Sequence, residues 1–181
     1  MAAKSKRAKP DGSASLTGAR CLSQLRLASV LGFFFGLLMG GVYINMISKE
    51  LLGALFLYWA AAQVVMASGM LCVYGLSGKP KHAFGGMLLF AGALFSVNMV
   101  LGVLPPMGLV ETAVQALGLV AFSLLLYEVG RQRPGTGLEG AGGLIFLGVI
   151  FQILQAPLME AVGVFLLAAG FLLASGRLGR L

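Results

Sequence analysis

The sequence predicts an all-α membrane protein of six transmembrane helices, arranged as three αα-hairpins in one orientation. Three observations predict it. Hydrophobic residues make up 59% of the 181 positions and charged residues only 10%, against roughly 25% charged in a soluble domain. Short polar or glycine-containing breaks divide the apolar sequence into six stretches. Every proline falls outside the interiors of those stretches, where it would interrupt a helix.

Taken in order, residues 1–26 (MAAKSKRAKPDGSASLTGARCLSQLR) are polar, basic and rich in small side chains. Such a composition predicts a largely disordered tail. A secretory signal fits poorly, because the apolar stretch that follows is long and ends in no small-x-small cleavage pattern. The rest, 27–181, is expected to be the transmembrane domain. Its spans are placed at about 27–47, 51–76, 83–104, 107–129, 141–156 and 161–176. Backbone groups in lipid must bond within their own segment, which makes helices the natural form for each span. At ~1.5 Å per residue the last two reach only about 24 Å, so they are expected to cross a thin bilayer rather than fold back as a re-entrant hairpin.

Basic residues set the orientation. Lys4, Lys6, Arg7, Lys9, Arg20 and Arg26 precede the first span; Lys79, Lys81, Arg131 and Arg133 lie in the second and fourth connections; Arg177 and Arg180 close the chain. Only Lys49 falls on the opposite side. The positive-inside rule then places both termini in the cytoplasm of an integral membrane protein, with the cell membrane as the expected location. The net charge of +7 does not point to nucleic acid, because the basic residues flank apolar spans instead of covering one folded face.

An internal repeat runs through the spans. Phe34-Phe35-Gly36 in the first aligns with Phe90-Ala91-Gly92 in the third and Phe146-Leu147-Gly148 in the fifth. Each such helix is followed by an outer turn with a glutamate near the start of the next: Glu50, Glu111 and Glu160. Each second helix ends in glycine and a basic residue, as in Gly78-Lys79, Gly130-Arg131 and Gly176-Arg177. Mitochondrial carriers also have three hairpins, but their Pro-x-acidic-x-x-basic motif is absent and this chain is much shorter.

Three groups of residues are candidate sites. Glu50, Glu111 and Glu160 would form an outer-mouth carboxylate set, although an acid in the first turn of a helix has sufficient local reason in the macrodipole and free N–H groups. That local reason is preferred. The polar residues Asn45, Gln63, Asn98, Gln115, Gln152 and Gln155 would line a solute path or bond helix to helix. Helix bonding is preferred, because no ionisable group is evident among them. Gly32, Gly36 and Gly40 form a flat strip on one face of the first helix, suited to close helix packing within the chain.

Neither cysteine has metal-ligand spacing, and with Cys21 and Cys72 both near the cytoplasmic side a structural disulfide is not expected. The sole histidine, His82, is placed in a loop. No cofactor is expected. No nucleophile–base pair, Cys-x-x-Cys or phosphate-binding glycine loop is present, so a non-enzymatic role is anticipated. The expected partners are the lipid bilayer, anionic lipid through the basic tail, and other membrane proteins or a second copy. The preferred reading is an accessory, scaffold or assembly subunit acting through helix packing. The alternative is a small carrier or channel for a neutral or weakly polar solute. The two differ in whether Asn98, Gln115 and Gln152 scatter among helix contacts or converge on a shared cavity.

Overall fold

The computed structural model describes residues 18–44, 46–103, 105, 108–154 and 156–181. Within them the protein is all-α. The order is α1 (Ala19–Tyr43), a short 3-10 turn (Lys49–Leu51), α2 (Leu52–Ser77), α3 (Pro80–Leu101), α4 (Leu109–Gln132), α5 (Leu138–Ile153) and α6 (Pro157–Leu178). Five are long and apolar enough to cross a membrane, with mean hydropathy between 1.7 and 2.1. The exception is α5, whose 16 residues reach about 24 Å.

Each helix packs against its neighbours in sequence, and α6 returns to α1, closing a ring of three antiparallel hairpins. One end of the ring carries Arg26, Lys79, Lys81, Arg131 and Arg177; we term it the basic end. The opposite, hairpin-turn end holds the α1–α2, α3–α4 and α5–α6 connections. Apolar side chains such as Phe84, Met87, Leu94, Leu117 and Leu172 are exposed on the outer surface. A multi-pass helical protein meets the lipid bilayer with such a surface, since lipid tails are as apolar as the side chains facing them.

The α1 helix begins eight residues before Leu27, because Cys21, Leu22 and Leu25 share its inner face and are buried, while Arg20 and Arg26 point outward. Residues 1–17 of the basic tail, and with them the expected lipid contact of Lys4, Lys6, Arg7 and Lys9, lie outside the described residues. His82 is not in a loop. Pro80 occupies the first turn of α3, a position its fixed φ and missing N–H suit. The connection thus shrinks to Gly78 and Lys79, and His82 is buried at 2% exposure.

The expectation about the cysteines is overturned as well. Cys21 and Cys72 form a disulfide across the α1–α2 seam, with Cα atoms 5.5 Å apart. Antiparallel neighbours bring the start of one helix beside the end of the next, so residues 51 apart in sequence meet at one depth. Cys21 is 1% exposed, and Cys72 is half-buried.

Glycines set the closest helix approaches. A Cβ at Gly32 would lie 2.9 Å from the Phe171 ring, one at Gly36 2.8 Å from Ala168 Cβ, and one at Gly40 3.0 Å from the Phe165 ring. The strip on α1 therefore seats α6. Gly92 approaches Gln63 of α2, so Gly36 and Gly92 both face the second helix of the preceding hairpin. Gly148 instead meets Gly163 and Leu167 of its own hairpin, where the repeat is broken. The hydroxyls of Ser29, Ser68, Ser123 and Ser175 donate to carbonyls three or four residues back in their own helices, as polar groups in lipid must be satisfied locally.

Candidate functional site

The ring is filled unevenly along its axis. Toward the basic end the interior is solid: Leu25, Met66, Met70, Phe122, Leu126, Ile145, Phe171 and Ala174 are each 0–1% exposed. Phe122 and Phe171 lie with ring centroids 6.0 Å apart. Toward the hairpin-turn end the helices enclose a partly open cavity of about 250 Å³.

All six helices contribute to its wall, each through one face. Phe35, Met39 and Tyr43 follow at four-residue steps on α1, as do Glu111, Gln115 and Leu119 on α4, the spacing that aligns side chains on a helix. The α1 stripe lies one residue, and so about 100° of rotation at 3.6 residues per turn, from the Gly32–Gly36–Gly40 stripe. One helix thus seats α6 and lines the cavity at once. Phe56 and Trp59 come from α2, Met99 from α3, Val149 and Gln152 from α5, and Val164 and Leu167 from α6. Phe35 and Trp59 stack with centroids 4.3 Å apart and planes 18° apart. They lie about 12 Å below Tyr43, at ~1.5 Å per residue.

The three glutamates occupy unlike surroundings. Glu50 is exposed in the 3-10 turn, where its N–H donates to Ser48 Oγ at 3.3 Å. Glu111 is buried at 7% exposure in the first turn of α4 and forms part of the cavity wall. Glu160, in the first turn of α6, accepts a hydrogen bond from the Tyr43 hydroxyl at 3.0 Å. Through Tyr43 it borders the mouth.

Of the polar residues, Gln115 and Gln152 line the cavity. Gln115 Nε2 also donates to Ser96 Oγ at 3.3 Å. The single Ser96 hydroxyl proton is shared between Gln63 Oε1 at 3.3 Å and the Gly92 carbonyl at 3.0 Å. This chain links α4, α3 and α2, with Gln63 fully buried and its Nε2 lacking a hydrogen-bond partner. Asn98 is half-buried on α3, and its carbonyl accepts the Gly102 N–H that ends the helix. Asn45 and Gln155 lie outside the described residues. Two of the three residues that distinguish the readings therefore meet at one cavity.

A second polar cluster sits at the basic end of the α3–α4 seam. Glu128 pairs with Lys81, lies 3.9 Å from Lys79 Nζ, and is 3.5 Å from His82 Nε2. Sequence reasoning passed over Glu128 because it falls in the last turn of an apolar span. It also passed over Phe35, Tyr43 and Trp59. The only tryptophan in the chain, placed mid-span, was the signal available. Among the described residues no three His, Cys, Asp or Glu side chains converge as metal ligands.

Compared with known proteins, no family model, curated protein or solved structure matches this chain.

Proposed function

We propose that the protein is a small non-enzymatic membrane carrier that takes up a compact polar solute through its hairpin-turn end. The observation that carries this reading is a cavity to which all six helices contribute, polar on part of its wall and closed beneath by the solid core. A subunit acting only through helix packing has no need of a hollow axis. Filling it with apolar side chains would add buried contacts, each CH₂ worth about 0.8 kcal/mol when taken from water. The convergence of Glu111, Gln115 and Gln152 favours a bound solute over helix glue. In this reading the basic end faces the cytoplasm and the cavity faces outward. Passage then requires the hairpins to part at the basic end. The Cys21–Cys72 bond holds α1 and α2 together there, so the parting falls at another seam.

Thiol labelling tests the cavity. The native cysteines are bonded, so an introduced cysteine reacts alone. Met39 lines the wall and is half-buried. In sealed vesicles, Met39→Cys should react with a membrane-impermeant methanethiosulfonate from one face only, while Ala174→Cys in the solid half should not react. Proteoliposomes should take up labelled small solutes faster than protein-free vesicles. An unreactive Met39→Cys, or uptake equal to empty vesicles across alcohols, amino acids and amines, would return the protein to the scaffold reading.

A further inference from the structure

We infer that the cavity selects a compact organic cation, a quaternary ammonium or protonated amine. The inference deepens the carrier reading and rests on it. Three features of the wall carry it.

The first is charge. Glu111 stands in the wall at 7% exposure, and Glu160 borders the mouth through Tyr43. No Lys, Arg or His is among the described residues lining the cavity. A cation is attracted to such a wall and an anion repelled, in surroundings where charge interactions are much stronger than in water.

The second is the aromatic content. Phe35, Tyr43, Phe56 and Trp59 all contribute to the lining. Aromatic faces attract cations through the ring quadrupole, and groups of them recognise quaternary ammonium in particular. A small inorganic ion would instead be held by a shell of oxygen atoms, for which four aromatic side chains are poor material. Gln115, Gln152 and Thr112 add amide and hydroxyl oxygens that suit an N–H or O–H on the same ligand.

The third is size. A volume of about 250 Å³ matches roughly eight waters at ~30 Å³ each. This admits choline-sized cations.

The single tryptophan supplies the assay. Trp59 lines the cavity, so its emission reports occupancy in the full-length, disulfide-intact protein in neutral-lipid vesicles. Choline should produce a saturable change. Its uncharged isostere, 3,3-dimethyl-1-butanol, should bind at least tenfold more weakly, and potassium at the same ionic strength should produce no change. Glu111→Gln should weaken choline binding at least tenfold and leave the isostere unaffected. Glu50→Gln, exposed in the turn, should match wild type. Should Glu111→Gln not fold, Phe35→Leu provides the second variant and should also weaken choline selectively. Equal binding of choline and its isostere would overturn the charge selectivity and leave a carrier for neutral solutes. A potassium response equal to that of choline would overturn the organic character. Absence of any choline response while Met39→Cys remains reactive would overturn the cation inference alone. Loss of both signals would remove the carrier reading with it.

Discussion

Replacing Gly36 by alanine places one methyl group at the tightest of the three glycine contacts between α1 and α6. That methyl would lie 2.8 Å from Ala168 Cβ and 3.1 Å from Ala168 Cα. Ordinary contact begins at 3.4 Å, so the helices must part there by about 0.6 Å. Neither obstructing atom can swing aside, because one is backbone and the other is bonded directly to it. A gap of ~0.5–1 Å forfeits a quarter to a half of the dispersion energy at each contact it opens. Overpacking of this kind costs about 1–3 kcal/mol, which at roughly 2–4 °C per kcal/mol lowers Tm by about 2–12 °C. Gly36→Leu should lose more and open the ring. The assay is thermal unfolding in mild detergent, followed by Trp59 emission, since Trp59 stacks on Phe35 beside the substituted position. Gly75→Ala and Gly143→Ala are the controls. Neither added methyl meets any atom within 4 Å, and alanine is the better helix former by about 1 kcal/mol, so both should melt at or slightly above wild type. A Gly36→Ala protein as stable as these controls would mean that α6 does not pack on this face of α1.

Three further outcomes are expected. The Cys21→Ser, Cys72→Ser double variant should be less stable by up to about 4 kcal/mol, the loop-closure value for a loop of about 50 residues. Wild type should resist thiol alkylation until denatured and reduced, and alkylation of the native protein would deny the bond. Gln63→Met should be neutral or mildly stabilising in thermal melts, because it removes a buried amide whose Nε2 has no partner, and Ser96 retains the Gly92 carbonyl. A loss above about 2 kcal/mol would make Gln63 an essential tie between α2 and α3. Reporters fused at either terminus, near Lys79 and near Arg133 should score cytoplasmic, and those near Ser48 and Pro157 external; an external C-terminus would refute the orientation.

Composition and one-dimensional pattern alone determined the class of this protein. Apolar length, proline placement and the alternation of basic connections each act locally, and together they specify a multi-pass bundle of adjacent helix pairs. The Gly32–Gly36–Gly40 strip was legible for the same reason, since its face follows from helical spacing. Which helix it would meet was not, because ring closure joins the first helix to the last. In a membrane helix apolar residues point both to lipid and to the core, so hydrophobicity does not distinguish the inner face from the outer. This is why Phe35 and Trp59 read as ordinary span residues until six helices turned them toward one axis. The same ambiguity made Glu50, Glu111 and Glu160 look alike, each beside an outer turn, whereas packing left Glu50 exposed, buried Glu111 in the cavity wall and tied Glu160 to Tyr43. The Cys21–Cys72 bond was dismissed on the redox state of the cytoplasm, although both cysteines were already placed near one side; His82 was misplaced because Pro80 starts its helix early. Helices form from contacts a few residues apart; a cavity forms where side chains distant in sequence fail to fill a shared axis, and only the assembled ring decides that.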